Sequence, residues 1–268
     1  MSIVFEHETH VDNTIEEAFA WHERKGAFRR LMPPWELAEE VRADDNLEEG
    51  SQRIFRFPMG PIKMSWVAQH TAYNPPHSFE DVMLKGPFKS WHHIHKFENT
   101  PDGKVMIHDK VNYRLPMGFL GNIVAGRMIK KRLTRMFTAR EIRLERDLKR
   151  HAEFSQLKRK KILVAGSSGL IGRQLVAFLD TGGHDVWRLV RRPVKPDSKE
   201  ISWSPSNGDL DPKQLEGFDT IIHLGGAGIG DKRWSKSRMR LIEESRTIST
   251  TLLSETIANL KKKPESFI

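Results

Sequence analysis

The polar and apolar positions of this chain follow two different rhythms. Residues 2–10 alternate, with Ile3, Phe5, His7 and Thr9 set against Val4, Glu6, Glu8 and His10, which is the period of a half-buried strand. Thr14-x-x-Glu17 forms a capping box, and Ile15, Ala18, Phe19 and His22 follow on one helical face. That helix is predicted to run until Met32-Pro-Pro-Trp35 stops it. Strand-like runs come next at 37–41, 52–57, 63–72, 78–85, 88–97 and 105–115. Turn signals separate them at Glu49-Gly50, Met59-Gly-Pro61, Asn74-Pro-Pro76, Lys85-Gly-Pro87 and Pro101-Asp-Gly103. Ile123, Val124, Met128, Leu133, Met136, Phe137, Ile142, Leu144 and Leu148 then recur at helical spacing, which predicts a long helix over 119–150.

Past residue 159 the rhythm changes. Short strand-like runs at 162–165, 185–190, around 201 and 220–224, the first of them wholly apolar, alternate with helical stretches at 170–179 and 235–260. Continuous apolar strands interleaved with helices point to a parallel sheet covered on both faces. The chain therefore divides into residues 1–150, a polar linker at 151–159, and an α/β segment at 160–268.

The α/β segment opens on Lys161-Ile-Leu-Val-Ala-Gly-Ser-Ser-Gly-Leu-Ile-Gly172, a strand running through a glycine turn into a helix. Gly166 permits the tight turn, Gly169 lets backbone approach a pyrophosphate, and Gly172 lets the helix pack closely on the strand. Ser167, Ser168, Leu170 and Ile171 complete the loop and the first helical turn, whose free N–H groups face the phosphates. The second strand ends in Arg191-Arg192, not in the carboxylate that binds a ribose 2′-OH. A guanidinium matches a 2′-phosphate, so NADP(H) is preferred over NAD(H); the alternative is a solvated strand end.

The Gly-x-x-Gly-x-x-Gly spacing resembles the extended branch of the short-chain dehydrogenase/reductase superfamily. His223-Leu-Gly-Gly-Ala-Gly228 stands where that superfamily carries a His-Leu-Ala-Gly signature, and Leu224, Gly225 and Gly226 are thereby implied as cofactor neighbours. Trp203-Ser-Pro, Gly208-Asp-Leu and Lys232-Arg-Trp-Ser extend the resemblance to an atypical family of NAD-dependent epimerase/dehydratase-like proteins. The implied fold is a Rossmann-type sheet. Catalysis in the superfamily uses Tyr-x-x-x-Lys, but both tyrosines here, Tyr73 and Tyr113, precede the glycine loop. No catalytic residue is assigned. The chain reads as the first part of a longer protein, with an incomplete sheet whose open flank leaves residues 159–268 unstable on their own.

Strand, helix, a run of antiparallel strands and a long closing helix form the element order of the α+β helix-grip fold. Arg30-Leu-Met-Pro-Pro-Trp35, Gly86-Pro-Phe-Lys-Ser-Trp-His-His-Ile-His-Lys-Phe97 and Asp109-Lys-Val-Asn-Tyr-Arg-Leu-Pro116 resemble a START-like, polyketide-cyclase-like subgroup found fused ahead of the epimerase-like domain. The resemblance implies an apolar cavity and a small hydrophobic ligand. Strand alternation puts Trp91, His93, His95 and Phe97 on one inward face, and Asp109 and Tyr113 on the neighbouring strand are expected to meet the two histidines. Three readings stay open: a satisfied polar cluster, a patch orienting a ligand, or a metal site. No third metal ligand is evident, and none is assigned.

Composition narrows the partners. The net charge is +9, with a basic concentration over 127–150, but no aromatic residue other than Phe137 on the apolar stripe falls among these cations, so no nucleic-acid partner is expected. A solvated helix face accounts for them, an anionic surface contact being the alternative. There is no cysteine, hence no disulfide, thiolate nucleophile or Cys-based zinc site. No apolar run is long enough to span a bilayer and the start is charged, so a cytoplasmic protein without an integral membrane segment is expected.

Overall fold

A computed structural model describes residues 2–59, 62–116, 118–196 and 198–268, with the side chains of Met59 and residues 118–124 not described. The turn expected at Gly60-Pro61 and the contacts of Ile123 and Val124 thus lie outside the described residues. The chain forms two compact units, Met1–Gln156 and Leu157–Ile268.

In the first unit, β1 (Ile3–Val11), α1 (Ile15–Glu23) and α2 (Ala27–Leu31) precede six strands. These are β2 (Glu39–Ala43), β3 (Gln52–Met59), β4 (Ile62–Asn74), β5 (Ser78–Lys85), β6 (Ser90–Asn99) and β7 (Val105–Arg114), and α3 (Gly118–Glu153) closes the unit. The seven strands form one sheet in the order β1-β7-β6-β5-β4-β3-β2, antiparallel throughout. The capping box is made in both directions: the Glu17 N–H donates to Thr14 Oγ1 at 3.2 Å and the Thr14 N–H donates to Glu17 Oε2 at 3.3 Å.

The first helix does not run to Met32. It stops at Arg24, whose backbone is extended, and α2 restarts after Gly26. Arg24, Lys25 and Gly26 add no apolar group to the buried face, and glycine is a poor helix-interior residue. The Met32-Pro33 step then ends α2. The inner faces of α1 and the sheet meet α3 through Phe19, Phe97, Val105, Ile107, Leu144 and Leu148, all buried. Farther along α3, Phe137 packs on Phe5 at a ring separation of 5.1 Å. Asp147 on α3 is buried and receives both arms of the Arg30 guanidinium, each at 2.6 Å, which ties α2 to α3.

The second unit holds β8 (Lys161–Ala165), α4 (Leu170–Thr181), β9 (Asp185–Val190), β10 (Glu200–Ser202), β11 (Thr220–His223), α5 (Lys236–Ala258) and β12 (Ser266–Phe267). Its sheet is parallel, in the order β10-β9-β8-β11-β12. Leu163, Ala165 and Ile221 share a core with Leu253 and Ile257 of α5. Ile162, Val164 and Ile222 face the other way, onto Leu175, Val176 and Leu179 of α4. Burial on both faces is why 162–165 reads as an unbroken apolar run. Strand order reverses between β8 and β11, and the loops that follow those two strands meet at this switch point, the place where open α/β sheets take ligands.

Among the described residues, no helix is long and apolar enough to cross a membrane.

Candidate functional sites

The glycine loop follows β8 at the switch point. Gly166 has φ +77°, and a Cβ on it would lie 2.6 Å from both Gly225 N and Leu224 C. A Cβ on Gly172 would lie 2.2 Å from Gly166 O and 2.8 Å from Ser167 Cα. Gly172 therefore seats α4 on the loop rather than on the strand. Gly169 is the residue that begins α4, and a Cβ there would meet only Gly166 O, at 3.3 Å. No side chain caps this helix and its first turn carries no acid, so the N-terminal N–H groups and the positive dipole end are left for an anion.

Ser167 is buried and Ser168 exposed, while Leu170 and Ile171 stand out at 81% and 68% exposure. Opposite them run Leu224, Gly225 and Gly226. This wall is braced from beneath: His223 Nε2 donates to Ser249 Oγ at 2.8 Å, and its Nδ1 accepts from the Gly225 N–H at 3.4 Å. The Ser249 hydroxyl already donates to Ser245 O, which fixes the His223 tautomer. Burial pushes the His223 pKa down, so the ring stays neutral. Ala227 N–H donates to Ser245 Oγ at 2.9 Å, tying the loop to α5. The cradle has the bare backbone, the uncapped helix start and the second glycine wall that a pyrophosphate requires.

Residues 162–268 match the model of the NAD dependent epimerase/dehydratase family. An epimerase family protein of Mycobacterium bovis is 39% identical over 98 residues, covering 37% of this chain and 32% of the relative. The human epimerase family protein SDR39U1 is 30% identical over 110 residues, 40% of this chain and 35% of that one. A solved structure described as the nucleoside-diphosphate sugar epimerase from Corynebacterium glutamicum has 32% sequence identity and a TM-score of 0.76. That likeness covers 97% of this chain, hence both units, and 52% of the other. The chain thus spans about a third of the length of these curated relatives.

Arg191 and Arg192, which follow β9, have different surroundings. Arg192 Nη2 lies 2.8 Å from Glu200 Oε1, a carboxylate whose side chain is only 8% exposed. Arg188 Nε approaches the same oxygen at 3.6 Å. Arg192 is therefore committed to a neighbouring strand. Arg191 is exposed and makes no ion pair among the described residues.

In the first unit, Trp91, His93, His95 and Phe97 are all buried on the inner face of β6. Asp109 sits opposite His95 in the ladder, and Asp109 Oδ1 serves both rings: His93 Nε2 is 3.1 Å away and His95 Nδ1 is 2.7 Å away. The first contact is a hydrogen bond, whereas the second is off the line of one, so His95 Nδ1 is buried without a hydrogen-bond partner. Burial pushes both imidazole pKa values down, and the rings are neutral at pH 7. Burial opposes ionisation of Asp109 as well, but the adjacent His95 and His93 outweigh it and hold the carboxyl well below the usual carboxylate range.

Tyr113 does not join this group. It faces Trp91 in the ladder and packs against Phe88 and Trp91, because the register puts it two positions farther along. It instead lines a groove of about 290 Å³ with Ile3, Val4, Phe5, Gly126, Arg127 and Lys130. The expected site is thus two places: a polar cluster at His93, His95 and Asp109, and an aromatic patch at Trp91 and Tyr113.

The cluster also has a member the sequence reading missed. Asp81 on β5 pairs with His93 in the ladder and turns inward with Phe79. Its Oδ2 lies 3.6 Å from His93 Nδ1 and 3.9 Å from His95 Nε2. Burial pushes the Asp81 pKa up. The alternation of Phe79, Asp81 and Met83 carried this signal, since Phe79 marks the inward face.

Proposed function

We propose that residues 157–268 bind a nicotinamide dinucleotide in a Rossmann-type crevice and prefer NADP(H) to NAD(H). The observation that carries this reading is the cradle itself: glycines at 166 and 172 that admit no Cβ, beside an uncapped helix N-terminus and facing Leu224–Gly226. Ser167, Ser168, Gly169, Leu170 and Ile171 border the pyrophosphate, and Arg191 takes the 2′-phosphate. The bound nicotinamide supplies hydride chemistry. The chain's own residues orient it, and the neutral His223 keeps the second wall in place. The activity proposed for a longer protein built on this unit is epimerase- or oxidoreductase-type, on a substrate the first unit helps to select by holding a small hydrophobic molecule. The groove at Ile3, Phe5 and Tyr113, rimmed by Arg127 and Lys130, supports an apolar ligand with an anionic end.

A second reading is a nucleotide-sensing protein without turnover. NADPH consumption with carbonyl substrates separates the two.

Calorimetry on the chain is expected to show NADPH binding about 1–3 kcal/mol more tightly than NADH, the scale of hydrogen bonds to charged groups. Arg191→Ala should remove that preference, whereas Arg192→Ala should leave most of it. Equal affinities for the two nucleotides in the unaltered chain would refute the NADP assignment. Absence of binding to either would refute the dinucleotide site.

A further inference from the structure

The inner face of the first unit's sheet carries more ionisable side chains than a packed core has use for. Across the β5–β6–β7 ladder lie Asp81, His93, His95 and Asp109. His70 on β4 pairs with Asp81 and is held by Ser51 Oγ at 3.0 Å. His22 approaches from α1, with its ring 6.3 Å from that of His95, and Arg140 approaches from α3, where it donates to Leu31 O and lies over Phe137.

From this arrangement we propose that Asp81, His93 and His95 form a binding site for a single divalent transition-metal ion of the zinc class. One ligand atom from each of the three lies within 4.8 Å of the others.

Two observations support the site. First, the ring atoms divide by side. His93 Nε2 and His95 Nδ1 face Asp109, while His93 Nδ1 and His95 Nε2 face Asp81. A carboxylate behind a ligating imidazole is the arrangement that fixes its tautomer and raises its basicity, and here one carboxylate stands behind two rings. A neutral His93 that gives its proton to Asp109 presents a lone pair toward Asp81, and His95, with Nδ1 2.7 Å from the same oxygen, is turned the same way. Second, the Asp81 separations of 3.6 and 3.9 Å are too long for hydrogen bonds. They are close to the separation of about 3.4 Å between ligands in a tetrahedral site with metal–nitrogen bonds of about 2.1 Å.

Two imidazoles and one carboxylate suit zinc, cobalt or ferrous iron, and disfavour calcium and magnesium, which take oxygen ligands. Three protein ligands also match a centre that keeps one position for water or substrate. Arg140 bears on the charge balance. With it and Asp109 ionised, Asp81 and a dication leave the pocket one unit positive; without the metal it is one unit negative.

The test uses the untagged full chain, stripped with chelator and dialysed. Addition of zinc is expected to raise the melting temperature, and addition of cobalt to give the visible d–d bands of a four-coordinate nitrogen–oxygen site, each saturating at one ion per chain. X-ray absorption of the zinc-loaded protein should report two imidazoles. Asp81→Asn and His93→Gln should abolish stoichiometric binding, and Asp109→Asn should weaken it about 10–100-fold. The surface pair His92 and Glu80 serves as control: His92→Gln should leave binding unchanged. The proposal is overturned if the unaltered chain takes up no stoichiometric zinc or cobalt. It is equally overturned if Asp81→Asn, still melting cooperatively, binds as before, since the ions then sit on surface histidines. The spectroscopic measurement needs no variant, so a misfolded substitution does not shield the idea.

Discussion

Lowering the pH from 7 to 4 should remove about 3 kcal/mol of the first unit's stability through His22 alone. This ring is packed between Trp21, Phe79 and Phe97, and burial pushes its pKa from 6.5 down to about 4, against the opposing hydrogen bond to Ala18 O at 2.8 Å. The unfolded chain takes up a proton near the ordinary histidine value, while the folded chain refuses it until about pH 4. Between those limits the unfolded state binds more protons, so stability rises with pH. The contribution is complete above about pH 6.5, declines as the pH falls below it, and levels off once the folded form is also protonated. A shift of this size is worth about 3 kcal/mol at 1.36 kcal/mol per pH unit. Burial lowers His70 in the same direction and steepens the loss. Urea unfolding monitored by tryptophan fluorescence across this range should show the decline. His22→Gln, which does not titrate, should flatten it by about the His22 share. Parallel pH profiles for the two proteins would contradict the assignment.

Gly172→Val is expected to abolish dinucleotide binding, with affinity falling at least 100-fold. The first atom of the new side chain would overlap Gly166 O and Ser167 Cα, both backbone, which have no rotamer through which to yield. Either α4 lifts away from the loop or the loop distorts, and both displace the N–H groups from a phosphate. Overpacking of this kind also costs about 1–3 kcal/mol of stability. Calorimetry with NADPH measures the first effect and thermal unfolding the second. Gly230→Ala, where a Cβ meets nothing within 4 Å, is the matched control. Retention of wild-type affinity by Gly172→Val would mean that the nucleotide does not rest on this helix.

Local rhythm made most elements visible in advance, because each depends on residues adjacent in the chain. The capping box at Thr14 and Glu17 is of this kind, as are the β6 alternation and the strand–turn–helix at 161–181. What escaped the reading depends on pairing between strands. Asp81 enters the histidine cluster because β5 registers His93 opposite it, and Tyr113 leaves the cluster because β7 registers it against Trp91. Arg192 differs from its neighbour Arg191 only through Glu200, eight residues on, which the β9–β10 pairing sets beside it. The break at Arg24 was legible in principle: three residues without an apolar side chain interrupt the stripe. Pro33 and Pro34 end only α2.

The absence of a side chain on Gly166 has a mechanical meaning. Its Cα rests directly on the Leu224–Gly225 peptide, while Leu224 N–H donates to Ala165 O at 2.9 Å. The two walls of the crevice are thereby clasped backbone to backbone, with no compressible side chain between them. Such a joint transmits displacement nearly undamped. A nucleotide that steadies one wall should quiet the other, so amide exchange should slow in concert at 166–172 and 224–227, including at positions the nucleotide never touches.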